Sequence, residues 1–384
     1  MANLIDAPTS ARASALDLWN ELEPYRFEDR LHLIRTHRRF VTREVCELLC
    51  RESARLTTVE PQRAIEAAEL AVVVAELMKG TDDCHEHYQV RAHAWAHDGN
   101  ARRVRGDLRN AEESFTIACA WWEAGTAGVG DLFAYEPAIL EHKASLQIAQ
   151  RRFPEAFETL DRMFTLYTEG QRAELRDSHL AGRALIKKAI GLIEMGCSEQ
   201  AISALQEAEG LVDARRDARL YLCLRHNLLF CLANVERYDA ALAMLPEVTA
   251  FCREVGNPID LMRLRWVEGR IAADLSRTEE AMAIFQELRQ GFAARDLAYD
   301  AALVTLDLTA LYARSGAVAE VKALSLEMSR IFQAQDVPRE ALAALLFFQK
   351  AAERERATAK LAREIGVFLE KLRNDPGLRF EWLR

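Results

Sequence analysis

The residues best suited to chemistry lie between Cys84 and His97. Cys84, His85, His87, His93 and His97 offer sulfur and imidazole nitrogen, the atoms that hold zinc. His93 and His97 are four apart and would share one face of a helix. A closed site needs further ligands at a fixed spacing, and no second Cys-x-x-Cys supplies them. The chain is therefore read as holding no metal and needing no cofactor. Cys46 and Cys50 are also four apart, but in VCELLC they run with Val45, Leu48 and Leu49 and read as a buried stripe. GTAGVGD, residues 125–131, lacks both the Lys-Ser/Thr of a phosphate loop and a preceding strand. G-x-S-x-G, H-E-x-x-H and G-x-G-x-x-G are absent, and no Ser/His/Asp set or catalytic carboxylate pair can be assigned. The expectation is a protein that is not an enzyme, with a metal-dependent enzyme built on the Cys84–His97 cluster as the alternative.

What would position such residues is a chain of helices. Ala, Leu, Glu and Arg dominate, there are only 17 glycines and 9 prolines in 384 residues, and half of the chain is hydrophobic. The strand pattern of alternating Val, Ile and Thr is nearly missing. A small residue recurs early in what reads as the second helix of each pair: Ala64, Ala111, Ala156, Ala201, Ala241 and Ala281, continued by Val321 and Leu361. The intervals are 47, 45 and 45, then 40 throughout, and they imply eight helical pairs. Pro61 and Pro154 sit at the starts of second helices, and Pro137, Pro258 and Pro338 at the starts of first helices. Gly196 and Gly256 mark helix ends. Pro246, inside AMLPEVTAF, is expected to kink its helix.

One stretch carries a family resemblance. Trp95–Ala118 reads WAHDGNARRVRGDLRNAEESFTIA: helix, a Gly106-Asp107 turn, helix, with small residues at Gly99, Ala111 and Ala118 and bulky ones at Trp95 and Phe115. That order resembles the tetratricopeptide repeat, although the usual period is about 34 residues. The longer repeats are similar to those of bacterial regulatory proteins. The resemblance implies an all-α fold: a right-handed superhelical solenoid of about eight antiparallel helix pairs. Residues 1–39 are expected to cap it, residues 40–374 to form the array, and residues 375–384 to make a tail whose Phe380, Trp382 and Leu383 fold back or dock.

The same resemblance makes the first helices the lining of a concave groove. Aligning them by the marker alanines puts His93, Asn100 and Arg103 on the inner face of the second pair and Arg183 and Lys187 on that of the fourth. His226 and Asn227 follow in the fifth pair, and Arg263, Trp266 and Arg270 in the sixth; Glu141 interrupts in the third. In that family, basic and Asn residues on first helices hold the carboxylates of an extended peptide. Fixed Arg and Lys donors suit carboxylates, and Asn suits peptide backbone. The expected function is a cytoplasmic interaction scaffold or regulatory subunit that takes an acidic or extended segment of another protein. The alternative is a ligand- or partner-sensing regulator of transcription without a DNA-binding domain of its own. A net charge of −9 argues against nucleic acid or an anionic membrane as direct partner. Eight cysteines without framework spacing fit a reducing compartment, and the N-terminus lacks the pattern of a secretory signal. Nothing in the sequence excludes a homo-oligomer.

Overall fold

The computed structural model describes residues 9–57, 60–78, 85–126, 135–169, 176–295, 297–334, 339–374 and 378–380. Cys84, most of the GTAGVGD link, Pro338, Trp382 and Leu383 lie outside them, as does the side chain of His85. Among the described residues helices are the regular structure and there are no strands: the fold is all-α. Two helices come first, α1 (Thr9–Leu22) and α2 (Phe27–Thr36), followed by a 3-10 turn at Arg38–Phe40. Eight pairs follow: α3 (Arg43–Leu56) with α4 (Pro61–Leu77), α5 (His85–Val104) with α6 (Leu108–Thr126), α7 (Glu136–Ala149) with α8 (Phe153–Thr168), and α9 (Ser178–Glu194) with α10 (Ser198–Glu209). The rest are α11 (Ala218–Asn234) with α12 (Tyr238–Val255), α13 (Pro258–Asp274) with α14 (Thr278–Ala293), α15 (Ala298–Ser315) with α16 (Val318–Ala334), and α17 (Arg339–Glu353) with α18 (Ala359–Asn374). The chain forms two compact units, Met1–Gly191 and Leu192–Arg384.

The marker positions explain the pairing. Ala64, Ala111, Ala156, Ala201, Ala241 and Ala281 are all fully buried, because two helices approach there too closely for a larger side chain. The turn before each marker from Ala111 to Val321 holds one residue with positive φ. These are Gly106, Arg151, Gly196, Glu236, Ser276 and Gly316, each five residues before its marker. The last pair corrects the sequence reading. Its left-handed residue is Glu355, and the turn runs two residues longer, so the buried marker is Ala362 rather than the half-buried Leu361. Pro258 starts α13 behind an Asn257 and Asp260 capping box. Pro246 does not end α12, which continues through it to Val255.

First helices contact first helices within each unit: α3 meets α5, α5 meets α7, α11 meets α13, and α13 meets α15. The last pair reverses this order. Its second helix, α18, packs on α15, while α17 packs on α16. Leu303 and Leu306 of α15 thereby join Ala344 and Phe348 of α17 and Ile365 and Leu369 of α18 in one core. This places α18, a second helix, beside the first helices of its unit.

Candidate functional site

In the unit Leu192–Arg384, α11, α13, α15 and α18 enclose a cavity of about 160 Å³. His226, Arg263, Trp266 and Arg270, all expected on the inner face, line it. Three carboxylates that the sequence reading missed lie with them. Arg263 is 3.7 Å from Asp300, which is almost fully buried. Trp266 donates its indole N–H to Asp307 at 2.7 Å, and Arg270 donates to the same oxygen at 2.9 Å. The other arm of Arg270 donates to Glu370 of α18 at 2.9 Å, and its guanidinium stands 4.7 Å over the Trp266 ring. Burial opposes the Arg270 charge, but Asp307 and Glu370 outweigh it and raise the pKa. Burial, helped by Arg263, lowers His226 to about 4, with Asp260 opposing. His226 is therefore neutral near pH 7, and its Nε2 is buried without a hydrogen bond. Asn227 contacts Cys223 of its own helix at 3.4 Å instead of lining this cavity. A neighbouring cavity of about 390 Å³ shares Arg270 and Glu370 and extends the site past Asp307 and Arg363. A further cavity, about 590 Å³ among Leu245, Arg253, Met262 and Glu287, contains none of the expected residues.

The expected residues of Met1–Gly191 also converge, around Glu141 and His142 of α7. Arg183 and Lys187 of α9 lie 3.2 and 3.4 Å from Glu141, and Lys187 donates to Ser145 at 2.8 Å. Burial alone would raise the Glu141 pKa, but Lys187 and Arg183 hold it below the usual carboxylate range. Burial lowers Lys187 in spite of Glu141. Arg103 donates to Asn100 at 2.9 Å. Arg183 and Lys187 are thus matched by a carboxylate, as Arg263 and Arg270 are in the other unit, whereas Arg103 is met by an amide oxygen.

Behind Glu141 runs a row of rings. His142 meets His97 edge-on at 4.8 Å, His97 meets His93 at 4.6 Å, and His93 stacks on Tyr135 at 4.3 Å. Tyr135 donates to Glu47 and accepts from Arg43 at 3.1 Å. Burial holds His93 and His142 well below the ordinary imidazole range and brings His97 to about 4. One donor atom each of Cys50, His93 and His97 lies within 4.8 Å of the others. The zinc reading through Cys84 falls outside the described residues, whereas Cys50 and Cys46 are fully buried on α3.

Comparison with known proteins gives a class. A TM-score of 0.56 relates this chain to a solved Rap protein complexed with competence and sporulation factor, at 11% identity over 87% of this chain and 92% of that one. Aspartyl phosphate phosphatase F from Bacillus subtilis gives 0.54, at 14% identity over 83% and 80%. No protein-family model matches the sequence, and no curated protein does. At these identities the likeness is one of fold: the chain is a tetratricopeptide-like helical-repeat protein. Among the described residues, no helix is long and apolar enough to cross a membrane.

Proposed function

We propose that this chain is a protein-interaction regulator that receives an extended, acidic peptide segment at the Arg263–Trp266–Arg270 site. The observation that carries the reading is the convergence of those side chains with His226 around one cavity. Arg263 is more than a third exposed, and its ion pair with Asp300 is long at 3.7 Å. Arg270 is held on one side by Asp307, while its second arm rests on Glu370, 40% exposed. A peptide carboxylate can take the place of Glu370 on that arm, exchanging one charge-assisted hydrogen bond for another, while the part-exposed Glu370 returns to water. Trp266 adds an apolar wall. The fold neighbour complexed with competence and sporulation factor supports a regulatory binding role for this class of solenoid. The reading is of a binder without catalysis, acting inside the cell and needing no cofactor.

A library of short peptides, acidic and neutral, with free or amidated C-termini, tests it by fluorescence anisotropy. Acidic members should be enriched among binders, and their affinity should fall as salt rises. Arg263→Ala should abolish the enrichment. Equal binding of neutral peptides, or acidic binding indifferent to Arg263→Ala, removes the proposal. Release of phosphate from an aspartyl-phosphate substrate by the purified chain would replace it with an enzymatic reading.

A further inference from the structure

We propose that Cys50, His93 and His97 form a buried binding site for a divalent late transition metal of the zinc type. The three donors come from two packed helices: Cys50 from α3, and His93 and His97 one turn apart on α5. Their donor atoms lie within 4.8 Å of one another. Bonds of about 2.0–2.3 Å to zinc require donors roughly 3.5 Å apart, so the side chains must close in by about an ångström. Cys50 is fully buried and His97 is 8% exposed. The Nδ1 atoms of His93 and His97 are both buried without a hydrogen bond. A buried polar atom without a partner is costly, and a metal bond or a closing side chain would relieve that cost. Thiolate and imidazole together select zinc, cobalt or copper over magnesium and calcium, which take oxygen.

The surroundings orient the donors. Tyr135 stacks on His93 and is itself held by Glu47 and Arg43, which restricts the plane of the imidazole. Glu141 adds negative charge near His97. On binding, Cys50 releases its thiol proton to solvent as the sulfur–metal bond forms, and both imidazoles give lone pairs without losing a proton. Three protein donors leave one position of a tetrahedral ion for a small ligand.

The full chain, stripped with a chelator, should be titrated with Co²⁺. The expected result is saturation at one equivalent, with a thiolate-to-cobalt charge-transfer band, tetrahedral d–d bands, displacement by Zn²⁺ and a higher melting temperature. Cys50→Ser and His97→Gln should each remove the charge-transfer band or the tetrahedral spectrum, whereas Cys231→Ser, a buried thiol of the other unit, should keep both. If Cys50→Ser fails to fold by circular dichroism, His93→Gln and His97→Gln decide. Absence of saturable binding, or the same spectrum in His93→Gln and His97→Gln, overturns the site.

Discussion

A Cβ added to Gly99 would lie 2.6 Å from the ring of Phe115. Gly269 and Phe285 repeat the relationship at 2.7 Å, at the same offsets from their markers Ala111 and Ala281. In both pairs a first helix gives up a side chain so that an aromatic ring of the second helix can lie on its backbone. Gly99→Ala gains about 1 kcal/mol of helix propensity but overpacks a ring that is only 3% exposed, a penalty of about 1–3 kcal/mol. The net effect should be destabilising, read as a lower urea midpoint with an unchanged slope. Phe115→Leu in the same chain should recover part of the loss. A midpoint equal to that of the parent would show that the ring can step aside.

The marker alanines follow the same logic. Ala111→Leu and Ala281→Leu add a branched side chain where none of the alanine surface is exposed, and each should cost about 1–3 kcal/mol. Gly106→Ala is a useful contrast: nothing lies within 4 Å of its added Cβ, but φ is +87°. Its cost, about 1 kcal/mol, is one of backbone strain and should be insensitive to compensating changes in neighbouring side chains. Chemical denaturation of the three variants separates the cases.

These contacts show why the pairs were legible in the sequence. Close approach demands a small residue, and a small residue every 40–47 positions stands out among bulky ones. Leu361 was misread because the longer turn at Glu355 carries no signal in composition. The shared face of Arg263, Trp266 and Arg270 was legible as well, since helical periodicity alone places them on one side of α13, and the three do line one cavity. Their acidic partners were not. Asp307 lies 37 residues from Arg270, and Glu370 lies 100 residues away. Glu370 reaches the site only because α18 occupies the place of a first helix, which no local pattern announces. The ring row was half visible: His93 and His97 share a face, but His142 comes from α7 and Tyr135 from the residue that caps it.

Acid should destabilise the unit that holds His226. Its folded pKa is about 4, against about 6.5 when unfolded. Between these values the unfolded chain binds the proton and the folded chain does not, so stability is fully present above pH 6.5 and is lost as pH falls toward 4. The 2.5-unit gap corresponds to about 3 kcal/mol at most. His226→Gln should flatten this acid limb without changing stability at pH 8 by a comparable amount. Melting curves from pH 8 to pH 4 supply the comparison, and identical acid limbs would dismiss the role of His226.

The C-terminal segment should act as a cover. Phe380 meets Phe347 of α17 at 5.9 Å and Phe368 of α18 at 4.9 Å, both edge-on, and Leu378 joins the same core. Phe380→Ala should cost about 2–3 kcal/mol, less than the 3–5 kcal/mol typical of a fully buried ring, and deletion of residues 379–384 should lower the melting temperature similarly. Loss of partner binding with an unchanged melt would instead mark the segment as a docking element.

The final expectation concerns how the binding site is kept ready. Charge reversal at Arg183 or Lys187 would be a poor probe of binding, because each stands beside Glu141 and a new carboxylate there would strain the fold. Arg270 offers a cleaner one. Its Nε is committed to Asp307, which also accepts from Trp266, so one half of the fork is fixed. The other half is occupied by Glu370, a carboxylate from the same chain that an incoming acidic group must displace. Glu370→Gln removes the competing charge while keeping the shape of the side chain. An acidic peptide should then bind up to about tenfold more tightly, a gain of about 1.4 kcal/mol, and that gain should shrink as salt rises. Arg270→Ala should weaken binding and cancel the benefit of Glu370→Gln in the double variant, since the two residues act on the same arm. Titrations of the four chains at two salt concentrations read the coupling directly. Equal affinity of the Glu370→Gln chain and the parent would mean that Glu370 does not guard the site, and the acidic segment would have to be held by Arg263 alone.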